Sequence, residues 1–242
     1  MAQDAGSPAA ATDADHEPGG LALALPLIAL AGWVDALGVV QWHGLYVSFM
    51  SGNSTALGAS PAIGDWHAAG EAGRAVLVFV AGAVLGELIG PAARDWRAPA
   101  IVGATAASLW AGLAADMLPV PQAGLAATAA GLAMGLQTAA IHKVDGTAIA
   151  ITYVTGTLVS LARGIAGALR GTARWRRTLP YLGCWLSLVG GASAGGLTAR
   201  TGTAEALVVS ATAATGLSIL AGAGVAARRR RARRRQARTA AE

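Results

Sequence analysis

Six long apolar stretches dominate the pattern of this chain, at 21–41, 74–90, 98–118, 122–141, 179–198 and 204–227. The second is a core whose helix is expected to begin a few residues earlier. Each approaches the ~20 residues that a helix needs to cross a ~30 Å hydrocarbon layer, so six spanning helices are expected. Two weaker stretches, 47–60 and 147–162, interrupt the series. The first has 14 residues and as a straight helix would cover only ~21 Å. It carries Ser48, Ser51, Asn53, Ser54 and Thr55, which suit lipid poorly but are tolerable among other helices or beside a wet cavity. Both are expected as short broken segments that dip into the layer and return. Eight crossings, four and four, are the alternative.

The order of the stretches repeats. "GWVDALG" (32–38) stands about twenty residues before Ser51-Gly52-Asn53, and "GLQTAA" (135–140) stands at a similar distance before Thr155-Gly156-Thr157. Asp35 and Gln137 are offset by 102 positions, Gly52 and Gly156 by 104. Gly82, Gly86 and Gly90 in the first run correspond to Gly191 and Gly195 in the second. The chain therefore reads as two repeated halves, 21–118 and 122–227. With six crossings, 16 of the 18 Lys and Arg residues fall on the cytoplasmic side and only Arg74 and Arg200 outside; with eight the split is 14 to 4. The positive-inside rule thus favours six. Three crossings per half would leave the halves inverted, a plan common among transporters.

Composition agrees. The chain is 54% hydrophobic and 13% charged, against about 25% charge in a soluble domain. Its 33 glycines and scarce aromatics suit close helix packing in a membrane. The net charge of +5 comes from eight arginines within 228–238; the remaining chain carries +5 − 8 = −3. This tail, 228–242, is expected to lie on the cytoplasmic side against anionic lipid headgroups rather than nucleic acid. The acidic lead, 1–20, reads as disordered and lacks the basic start of a signal peptide. The single cysteine, Cys184, reads as a buried thiol. Four scattered histidines show no ligand spacing, so no metal, cofactor or enzymatic centre is expected.

Taken in order, "GWVDALG", "YVSFMSGN", "GLQTAA" and "TYVTGTL" resemble the YoaK-like family of bacterial membrane proteins of unknown function, over roughly residues 21–225. The resemblance implies a multi-pass protein of the bacterial inner membrane and brings no substrate with it. In that family Asn usually follows the Gln of the second half, where this chain has Thr138.

Candidate chemistry lies in the polar residues at membrane depth. Asp35 is either a proton or cation site or a carboxylate satisfied near the interface. Gln137, its counterpart by spacing, either binds solute or bonds across helices. Ser51, Gly52 and Asn53, with Thr155, Gly156 and Thr157, are expected to break their helices. The two breaks would then meet as a polar site near the midplane; close packing through glycine is the plainer alternative. Glu87, beside Gly82 and Gly86, is a secondary candidate. The leading expectation is an all-α secondary transporter of a small solute. A passive channel, or a membrane scaffold or accessory subunit without transport, stands as the alternative, and a homo-oligomer is compatible with all three.

Overall fold

The computed structural model describes residues 20–118, 123–140, 154–172 and 174–239, and over them the chain is all helix, with short 3-10 turns. Most of the acidic lead, and 147–153 at the front of the second weak stretch, lie outside the described residues. Eight helices follow in order: α1 (Gly20–Gln41), α2 (Met50–Ala59), α3 (Trp66–Ala93), α4 (Arg97–Asp116), α5 (Ala123–Thr138), α6 (Val154–Leu169), α7 (Leu179–Ala199) and α8 (Thr203–Thr239). Four helical stretches, Leu21–Gln41, Trp66–Asp116, Leu179–Ala199 and Thr203–Thr239, are long and apolar enough to cross a membrane, the second covering both α3 and α4.

Local chemistry sets the boundaries. α1 runs 22 residues, ~33 Å. It stops where His43 and Gly44 take positive φ values of 54° and 82°, which throw the chain back along the helix it has just left. Asp65 caps α3 by accepting the Ala68 N–H at 2.9 Å, satisfying one of the free donors of the first turn. α3 and α4 are joined by the tight turn 94–96, where Arg94 has φ 49°.

Glycine decides the packing. α1 lies on α7 so closely that a Cβ at Gly32 would strike the Leu188 carbonyl; Gly191 meets Ala29 and Gly195 meets Trp33 in the same way. Numbers rise together along this seam, so the two helices run parallel. α3 repeats the arrangement on α5: Gly82 against Leu132, Gly135 against Phe79, Gly86 against Leu136 and Ala139. These are backbone contacts that any side chain would prevent. α4 packs antiparallel on α8, with the Trp110 indole N–H donating to Thr215 at 3.2 Å and the Ser218 hydroxyl donating to the Pro99 carbonyl at 2.8 Å. It also packs on α5, where the Ser108 hydroxyl donates to the Ala129 carbonyl. Arginines pin both ends of the α3–α5 pair. Arg74 donates to the Gly124 carbonyl at 3.1 Å and Arg97 to the Ala139 carbonyl at 3.0 Å, with Glu71 and Glu87 as their carboxylate partners.

The interior is made largely of alanine, whereas Leu77, Leu88, Leu197, Ile219 and Leu220 are exposed. So many large apolar groups facing outward reverse the habit of a water-soluble bundle and fit a lipid surround.

The helix of the second long apolar stretch begins at Trp66, ahead of Arg74 as expected. The arginine tail is no separate unit: α8 continues through it to Thr239, and Arg229 meets Asp95 of the α3–α4 turn at 2.7 Å. Arg163 lies within α6, which carries on to Leu169.

Candidate functional site

The reversed segment after α1 explains the first motif. The Leu45 carbonyl sits where a Cβ of Gly38 would be, so residues 45–48 can return flush against α1. One turn back along that face stands Asp35, 6% exposed. Its Oδ1 accepts the backbone N–H groups of Val47, at 2.9 Å, and Ser48, at 2.7 Å; its Oδ2 accepts the Ser48 hydroxyl. A buried carboxylate thus satisfies the donors that the irregular segment would otherwise leave bare.

Asn53 completes the fastening. Its Nδ2 donates to the Tyr46 carbonyl at 2.5 Å and its Oδ1 accepts the Tyr46 N–H at 3.3 Å. One side-chain amide therefore pairs with both polar groups of a single residue. Gly52 stands 3.1 Å, at its absent Cβ, from the Tyr46 ring. The break in the chain lies before Met50, not at Gly52. Gly52 sits in the first turn of α2, and Gly156 lies within α6. Ser51 and Thr155 are exposed; Gly156 and Thr157 are half-buried.

Among the described residues the expected meeting of the two short segments does not occur. α2 packs on α3 and the turn that follows it, α6 on α7 and the 3-10 turn before it, and the two share no contact. Each is carried on the third helix of its own run, and these lie on different seams.

Gln137 is fully buried, and its Nε2 donates to the Leu27 carbonyl of α1 at 2.9 Å. Its Oε1 has no partner among the described residues. Nor is it the counterpart of Asp35. In the glycine seams Gly32 corresponds to Gly135, and Ala29 to Leu132, an offset of 103. That register pairs Asp35 with Thr138 and the buried Val34 with Gln137. The offset of 102 read from the motifs is one residue short, and on a helix one residue is a different face. Thr138 spends its hydroxyl on the Gly135 carbonyl at 2.6 Å.

Asp35 also lines a groove of about 430 Å³ on the α1–α7 seam. α1 contributes Gly32, Asp35 and Val39, the reversed segment Tyr46 and Phe49, and α7 Leu188 and Ala192. The Tyr46 and Phe49 rings are 5.9 Å apart between centroids and tilted by 49°. Among the described residues, Asp35 is the one carboxylate of the lining, and no Lys, Arg or His lines it. Tyr46, Ser48 and Phe49 carry the site as much as the residues first singled out. They stand in the same "YVSFMSGN" phrase; Tyr46 and Phe49 raise no signal of their own there, and Ser48 is one of several hydroxyls in the weak stretch.

An all-α transmembrane protein with a carboxylate-bearing groove between two glycine-locked helices is the class that fold and site define. The chain belongs to the family described as "Protein of unknown function (DUF1275)", which it matches over residues 23–229. It is 32% identical over 176 residues to a UPF0700 transmembrane protein of Rhizobium meliloti (strain 1021), covering 72% of this chain and 75% of that protein. No solved structure matches it significantly.

Proposed function

We propose that this protein is a multi-pass secondary transporter of a small solute in the bacterial inner membrane, with the solute site in the groove at Asp35. The observation that carries the reading is the placement of a buried carboxylate in a groove on a seam between a helix of one half and a helix of the other. The helix directions support inversion of the halves. Parallel pairs α1–α7 and α3–α5, with α4 antiparallel to α5 and α8, are what two inverted runs of three crossings would produce. In that arrangement α2, of 10 residues, and α6, of 16, each join helices of opposite direction without crossing. Both termini and the arginine tail are then cytoplasmic, the tail beside anionic headgroups. Seams of bare backbone are surfaces along which one half can rock against the other. The channel reading finds no such support, since α2 and α6 are not face to face.

The test is flux. Proteoliposomes containing a pH-sensitive dye are challenged in turn with amino acids, polyamines, sugars and organic cations. At least one class is expected to evoke a saturable signal that Asp35→Asn abolishes and Asn53→Ala weakens. A signal unchanged by both substitutions, or none from any class with correctly inserted protein, rejects the reading.

A further inference from the structure

We infer that the Asp35 groove takes an amphipathic organic monocation, an amine or quaternary onium with an aromatic or aliphatic body. This rests on the groove being the solute site and narrows its chemistry.

The first reason is charge. The bonded partners of Asp35 are two backbone N–H groups and one hydroxyl. All are neutral, and no cationic side chain among the described residues lines the groove. A carboxylate at membrane depth without a counter-charge is costly, and a bound cation relieves that cost. An anion would meet repulsion in a medium where repulsion is strong. A sugar or other polyol would find one acceptor in an otherwise apolar lining and leave its own hydroxyls unpaired.

The second reason is shape. At about 430 Å³ the groove falls within the range of small-molecule sites. Apart from Asp35 its walls are glycine, aliphatic groups and the Tyr46 and Phe49 rings. Those rings flank the two residues, Val47 and Ser48, whose backbone holds the carboxylate. The segment that orients Asp35 therefore carries the aromatic faces beside it. A cation within ~6 Å of a ring centroid gains further attraction from the π face. One carboxylate fits one positive charge. The corresponding position in the other half is the uncharged Thr138, so the described residues hold no symmetric second site.

The experiment compares ions of nearly identical shape and opposite charge. Tetraphenylphosphonium and tetraphenylborate are titrated against the full chain in nanodiscs, with empty nanodiscs subtracted. Tetraphenylphosphonium is expected to bind saturably at one site and tetraphenylborate not to do so. Asp35→Asn should weaken the cation at least tenfold and Phe49→Leu several-fold, while Gln137→Leu leaves it unchanged. Equal binding of the two ions overturns the inference, as does an affinity unmoved by Asp35→Asn. Should Asp35→Asn fail to insert, Tyr46→Leu and Phe49→Leu decide, and unchanged affinity in both overturns it. Saturable cation binding without flux would remove the transport reading and leave the ligand class standing; flux of sugars without cation binding would do the reverse.

Discussion

A carboxylate in a membrane protein is ordinarily suspected of chemistry, yet Asp35 has a structural duty that comes first. It accepts three hydrogen bonds from a segment that has no helix to satisfy it. Bonds to a charged acceptor are worth ~1.5–3 kcal/mol each, and donors left bare cost more. Asp35→Ala is therefore expected to lower stability by ~2 kcal/mol or more, read as a fall in the melting temperature of the purified protein. Asp35→Asn keeps an acceptor for both N–H groups and turns an NH₂ toward a hydroxyl that can accept, so its loss should stay within ~1 kcal/mol. That difference separates the duty of the side chain from its charge. Gln137 predicts the opposite sign. Its Oε1 is buried without a partner among the described residues, and the Leu27 carbonyl to which its Nε2 donates lies within a helix. Gln137→Leu should leave the melting temperature unchanged or raised; a pronounced fall would show that the amide is engaged elsewhere.

Among the elements, glycine works by position rather than by number. Gly190 and Gly191 are neighbours on α7, but a Cβ at Gly190 meets open space and one at Gly191 meets the backbone of Ala29. Gly190→Ala should be neutral or gain up to ~1 kcal/mol from helix propensity. Gly191→Ala should lose ~1–3 kcal/mol by prising α1 from α7. Comparing the two in one thermal-unfolding assay cancels effects common to any added methyl. Equal behaviour of the pair would contradict the parallel α1–α7 seam. The same reasoning separates Gly82 and Gly135, sealed between α3 and α5, from Gly216 and Gly224, which have no neighbour within 4 Å.

For the whole molecule, the decisive relation is between the two runs of helices. The first helix of each run packs on the third helix of the other, and the fourth helices pack together. No run buries its glycine face by itself, so neither half is expected to fold alone. Inversion makes a further prediction. With Cys184 replaced by alanine, a cysteine at Ser60 should react with an impermeant thiol reagent from the periplasmic side only. A cysteine at Arg163, exposed on α6, should react from the cytoplasmic side only. Reaction of both from one side would exclude inverted halves.

Most of the helices could be read directly from the chain, because length and apolarity are local properties: the expected 98–118, 179–198 and 204–227 lie within a few residues of α4, α7 and the membrane part of α8. The glycine pairs at Gly82 and Gly86, and at Gly191 and Gly195, were legible as packing positions for the same reason, since small residues at helical spacing have few other uses. Which residue faces which was not legible. Motif spacing paired Asp35 with Gln137, and only the backbone contacts of Gly32 and Gly135 set the register at 103. The joining of Asp35 to Val47 and Ser48, the clasp of Asn53 on Tyr46, the separation of α2 from α6 and the groove on the α1–α7 seam all depend on a chain reversal and on helices distant in sequence. Apolarity along a strand of text specifies that a segment is buried in lipid. It does not specify the partner, because in lipid every helix is equally apolar, and the choice falls to shape and to the pairing of the few polar groups, which exist only once the helices are assembled.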